Sequence, residues 1–157
     1  MTILSNSFFV TRREYPNDEK MISNKKASIV SSENQLSLSS FELFSDNSSV
    51  KFCLNASTQY FDIKNFEFYA DVDSFRKFLS GIEKVYENKM NSVELRQSFE
   101  DSTLKIETDD LGHIRIICEV YYYGSYKEIC KTNFEVDLSF LQDFIKELKV
   151  VYLELGF

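Results

Sequence analysis

Between Leu138 and Leu155 the apolar residues Leu138, Leu141, Phe144, Ile145, Leu148, Val151, Tyr152 and Leu155 recur at three- and four-residue spacings. That is the spacing of one face of an α-helix. Gln142, Asp143, Lys146, Glu147 and Lys149 fall on the other face. Asn133 to Val136 reads as a short strand feeding straight into this helix. Asp137 or Ser139 is placed to accept from the free amides of the first turn, and Ser139 with Gln142 has the capping-box spacing.

The same succession occurs earlier. Asn65-Phe66-Glu67-Phe68-Tyr69-Ala70 leads through Asp71 into Phe75, Phe78, Leu79, Ile82 and Tyr86, which match Leu141, Phe144, Ile145, Leu148 and Tyr152 position by position. Two origins fit: a true internal repeat, or the ordinary pattern of any strand that feeds an amphipathic helix. Two copies are too few for a solenoid and suit a domain with two similar halves.

Elsewhere the period is two. Leu36, Leu38 and Ser40 point one way and Phe41 and Leu43 the other, a change of phase that predicts a bulge. Val50, Phe52 and Leu54 alternate with Lys51, Cys53 and Asn55. Val93, Leu95, Gln97 and Phe99 form one alternating set, and Leu104, Ile106 and Thr108 another, with hairpin chemistry at Asp101-Ser102. Asp109-Asp110-Leu111-Gly112 is a strong turn. His113 to Tyr123 is the longest strand, and Tyr126 to Val136 returns beside it after Gly124-Ser125. Strands, helix, strands, helix in this order predict an α+β domain. Its twisted antiparallel sheet, of about six to eight strands, is expected to pack against the two amphipathic helices. Phe144 and Leu148 are expected among the most sensitive core positions. Ser7 to Arg13 reads as a peripheral strand and Glu14 to Lys26, with Pro16, as a loop.

A chain of 157 residues with 43% hydrophobic and 15% aromatic content suits one folded domain spanning residues 1–157. With few glycines and one proline, its turns depend on Asn, Asp and Ser. The formal net charge of -7 disfavours direct contact with nucleic acid or an anionic membrane and favours a basic partner. Cys53, Cys118 and Cys130 are odd in number and lack CxxC spacing, so reduced thiols are expected. With no signal-like start and no apolar run near the ~20 residues that span a bilayer, the expected location is cytoplasmic.

No catalytic motif is present: no GxGxxG, GxxxxGK[ST], GxSxG or HExxH. No cofactor is called for. His113 is the only histidine, which leaves a metal site nothing to build on and makes ordinary hydrogen bonds its expected role. Asp101, Glu107, Asp109 and Asp110 lack the ligand order of a calcium loop; turn chemistry explains them more simply than a carboxylate pair for hydrolysis. Tyr121-Tyr122-Tyr123 is the most unusual local feature. Alternation turns Tyr122 inward and Tyr121 and Tyr123 outward, either into a protein-binding surface or under another segment.

Phe66 to Tyr86 and Gly112 to Leu148, with the segments DVDSFRKFLSGIEKVYE (Asp71–Glu87), LGHIRIICEVYYYG (Leu111–Gly124) and FEVDLSFLQDFIKEL (Phe134–Leu148), give the chain a family likeness. It resembles the WapI-type immunity proteins of bacterial polymorphic-toxin systems over about its C-terminal three-fifths. The resemblance implies a non-enzymatic inhibitor that binds a cognate toxin domain, often a nuclease, and blocks it. It carries over no contact residues. Exposure and charge alone select Tyr121, Tyr123, Glu119, Asp109 and Asp110 as the partner-binding surface. The competing readings are a scaffold or oligomerising domain and a carboxylate-based enzyme.

Overall fold

The computed structural model of the chain describes residues 21–109 and 111–157; the expected strand at Ser7–Arg13, residues 14–20 of the expected loop and Asp110 lie outside them. Within the rest of that loop Met21–Ser23 is a strand, because it pairs with Phe41–Leu43. Two short strands, β1 (Met21–Ser23) and β2 (Ala27–Val30), lead into β3 (Gln35–Leu43), β4 (Ser49–Ser57) and β5 (Asp62–Asp71). Helix α1 (Val72–Tyr86) follows. Four strands come next, β6 (Ser92–Arg96), β7 (Thr103–Thr108), β8 (His113–Tyr123) and β9 (Lys127–Asp137), and helix α2 (Ser139–Glu154) closes the order.

The α+β class is therefore as the sequence predicts. The strands are divided between two antiparallel sheets, however, and not joined in one. In the first, β1 and β2 share the outer side of β3, which pairs with β4 and β4 with β5; the second is the meander β6-β7-β8-β9. The physical reason lies in α1. Its apolar residues Phe75, Phe78, Leu79, Ile82 and Val85 are buried, and β6 packs against the helix instead of pairing with β5.

The bulge in β3 is where the change of phase places it. Pairing with β4 breaks between Ser39 and Glu42, and Ser40 takes φ +54°. Within the break, Phe41 turns inward against Phe52 (5.4 Å between centroids) and Phe75 (6.2 Å). In the second sheet, Leu95, Leu104 and Cys118 line up in register, as do Ile106, Ile116 and Phe134. All six are buried in one core shared with the first sheet.

Each half is thus a four-stranded meander closed by a helix, β2–β5 with α1 and β6–β9 with α2. Phe75, Phe78, Leu79 and Ile82 are buried, as are Leu141, Phe144, Ile145 and Leu148. Counted back from these positions, Phe134 falls on Phe68 and Val136 on Ala70; the two Asn-Phe-Glu triplets are out of step by two residues and share only their facing. The helices are exchanged in their packing. Helix α1 lies against β6 of the second half and α2 against β2 of the first. Gly81 allows the first contact: a Cβ there would lie 2.3 Å from Val93 Cγ2. Glu147 makes the second, its Oε1 accepting the backbone N–H of Ser28 at 2.9 Å.

Neither helix carries a side-chain cap, although the sequence offers Asp137 or Ser139 to the second. The residue before α2 is Leu138, with no side-chain cap bond, because Asp137 still belongs to β9 and pairs with His113. Asp71 precedes α1, but its Oδ1 accepts the hydroxyl of Ser98 at 2.9 Å. Among the described residues no helix is long and apolar enough to cross a membrane.

Candidate functional site: a cleft between the sheets

The open side of β5 faces the second sheet across a cleft of about 430 Å³ lined by Asn65, Phe66, Glu67, Tyr69, Gln97, Glu100 and Tyr121–Tyr123. One wall is the β6–β7 turn. It is closed internally by Gln97 N–H donating to Ser102 O at 2.8 Å and is tied to β5 by Ser98 N–H donating to Tyr69 O at 2.9 Å. The Ser98 hydroxyl bond to Asp71 adds a second tie. Serine 102, fully buried, accepts the backbone N–H of Tyr121 at 2.9 Å and fixes the end of β8 beside the turn.

This turn corrects the alternating reading of Val93 to Phe99. Strand β6 ends at Arg96, and Phe99 sits in the turn at φ +63° with its ring fully exposed. A bulky side chain rarely takes this left-handed conformation, because its Cβ crowds the backbone. Strain of this kind, retained with an apolar ring in water, is found where a backbone is held for a purpose. Phe99 is the residue that alternation alone misses.

The tyrosine rings alternate in facing as expected, but their burial does not follow: Tyr122, expected inside, is exposed, and Tyr121, expected outside, is the more covered of the two. Tyr121 and Tyr123 share the outer face, their rings stacked at 6.4 Å and 15°. Tyr121 is half-buried and Tyr123 is 54% exposed. Tyr122 turns toward the other sheet and meets Phe66 edge to face at 5.3 Å and 87°. Tyr121 Oη donates to Glu119 at 3.2 Å, and Lys127 Nζ lies 5.0 Å from the Tyr121 ring centre. Desolvation, then the Glu119 charge, raises the Tyr121 hydroxyl pKa.

The five residues selected from sequence do not form one patch. Glu119, Tyr121 and Tyr123 lie together at the far end of β8. Asp109 lies before its start, beyond His113, so six to ten strand steps from His113, at about 3.3 Å per residue, separate it from them. Asp110 is outside the described residues. Asp109 is a turn residue: Oδ1 accepts the N–H groups of Leu111 (2.8 Å) and His113 (3.0 Å), and Oδ2 meets His113 Nδ1 at 3.0 Å. The His113 backbone N–H, then its ring, lowers the Asp109 carboxyl to about 2. The same carboxylate raises the His113 pKa. His113 makes ordinary turn hydrogen bonds, as expected. The neighbouring Glu107 is held by Lys105 (3.1 Å) and Arg115 (3.5 Å).

The described residues contain no group of three or more His, Cys, Asp or Glu placed to hold a metal ion. Their cysteines are unpaired, and burial pushes the Cys118 thiol up to about 12.

No family model matches the chain, and no curated protein matches it. Among solved structures, MRP1/MRP2 of Trypanosoma bruciei is similar, with a TM-score of 0.47 and 10% identity over 94% of this chain and 93% of that one. At that score the likeness bears on no functional point.

Proposed function

We propose that the chain is a non-enzymatic binding protein that grips a protein partner through the cleft between its sheets, and that the partner is a bacterial toxin domain which it neutralises. The observation that carries the first half is Phe99, a fully exposed aromatic ring on a strained turn pinned to β5. Gln97 and Glu100 of the same turn line the cleft together with the stacked Tyr121 and Tyr123 rings. Aromatic residues held rigidly at a concave surface are the usual anchors of protein interfaces, since they bury large area at little cost in side-chain entropy. The second half rests on the resemblance to immunity proteins, with which the acidic balance of the chain agrees. An acidic inhibitor associates quickly with a basic toxin.

The test is co-expression with the toxic C-terminal domain encoded beside the gene. Rescue of growth, together with a stable complex in gel filtration, is the expected result. Toxicity persisting with both proteins soluble overturns the proposal.

A further inference from the structure

The cleft has one chemical bias that fixes what it can hold. We propose that it receives a guanidinium group, the side chain of an arginine presented by the bound protein. This rests on reading the cleft as the partner-binding face.

Gln97 is 5% exposed, lines the cleft, and its Oε1 accepts no hydrogen bond. The orientation of its amide is fixed by chemistry: Nε2 donates to Glu100 Oε1 at 3.1 Å, and turning the amide over would set two oxygens against each other. A buried carbonyl without a donor is costly, and a ligand whose N–H displaces the side chains covering it removes that cost. The rest of the lining also asks for donors. Glu67 and Glu100 are carboxylates on opposite walls, and Glu119 and Asp101 add their charge at Tyr121. Three cations lie nearby. Lys51 is held by Glu42 (3.3 Å) and Glu67 (3.8 Å), Lys127 lies over the Tyr121 ring, and Lys131 stands opposite Glu119 in register. With Glu128 acting at Tyr122, five carboxylates against these three leave the cleft negative.

Arginine fits this set better than lysine. Its planar fork can donate to a carbonyl and a carboxylate at once, and its face stacks on tyrosine. Lys127 against Tyr121 shows that a ring of this cluster already takes a cation.

The experiment is an NMR titration of the isotope-labelled chain with the blocked peptide acetyl-Gly-Arg-Gly-amide, and with its lysine and citrulline counterparts. Saturable shifts at the Gln97 side-chain amide and at Tyr121–Tyr123 are expected with arginine, with affinity at least ~10-fold weaker for citrulline and ~3-fold weaker for lysine. Gln97→Met, which keeps the length and removes the acceptor, should weaken the arginine peptide ~5-fold or more. Glu100→Gln, at an exposed position, should weaken it similarly. Equal binding of arginine and citrulline, or full binding by both variants, overturns the inference. These outcomes leave growth rescue untouched, and failure of rescue with arginine-selective binding intact would remove the toxin reading alone.

Discussion

At Phe99, backbone strain and ring exposure oppose one another, and that opposition can be measured. Holding a non-glycine residue at φ +63° costs about 1–2 kcal/mol, and the exposed ring recovers nothing by burial. Phe99→Gly should therefore raise stability by about 0.5–1 kcal/mol after the added freedom of the unfolded chain is counted, read as a later urea midpoint. The same change should weaken partner binding at least ~10-fold, the loss expected for an aromatic anchor. A variant that binds as tightly as the parent would remove Phe99 from the interface. A second prediction concerns the Asp109–His113 pair. His113 holds its proton more tightly when folded, so its contribution is complete below its ordinary value near 6.5 and is lost as pH rises through the higher folded value. Asp109, lowered to about 2, contributes above its ordinary value of 3.8 and loses this as pH falls toward 2. In Asp109→Asn the NMR titration midpoint of His113 should fall; an unchanged midpoint would mean that the 3.0 Å contact is not what holds the proton.

At the scale of elements, the contact of α1 with β6 turns on one missing methyl. Helix propensity alone favours Gly81→Ala by about 1 kcal/mol, but the new Cβ would lie 2.3 Å from Val93 Cγ2 and 2.9 Å from its Cβ. Valine has little freedom at χ1, so the strand must move, at an overpacking cost of about 1–3 kcal/mol. Net destabilisation of up to about 2 kcal/mol in urea unfolding is expected; a stabilised variant would show that β6 yields freely. Nothing in the sequence around Gly81 announces this contact, because Val93 reaches it only through the tertiary fold. What local period could reveal was legible: the buried faces of both helices, the bulge at Ser40 and the opposite facing of Tyr121 and Tyr122. Alternation failed where the chain leaves a sheet without breaking step, as at Gln97 and Phe99. Spacing failed at the cap of α2, since Asp137 stays in β9 opposite His113. The cleft itself was illegible, because the edge of β5 meets the end of β8 only when the two halves close on each other.

That closure decides how the whole molecule unfolds. Were each helix packed only on its own sheet, the two halves could melt separately, as weakly coupled units often do. Here α1 lies against the first strand of the second meander and α2 against an edge strand of the first sheet. Further ties are Lys149 to Glu83 at 2.7 Å and Arg76 Nε to Tyr152 Oη at 3.2 Å. Removing packing atoms from either helix therefore loosens both sheets. Phe144, fully buried in the shared core, provides the test. Phe144→Ala should cost about 3–5 kcal/mol, a large share of the about 5–15 kcal/mol that holds a domain together. Native-state hydrogen exchange would show where the loss is felt. If the halves are one cooperative unit, the amides of Phe52 and Leu54 in the first sheet lose as much protection as that of Ile116 in the second. Loss confined to the second sheet would mean that the exchanged helices touch without coupling, and that the cleft can open while each half stays folded.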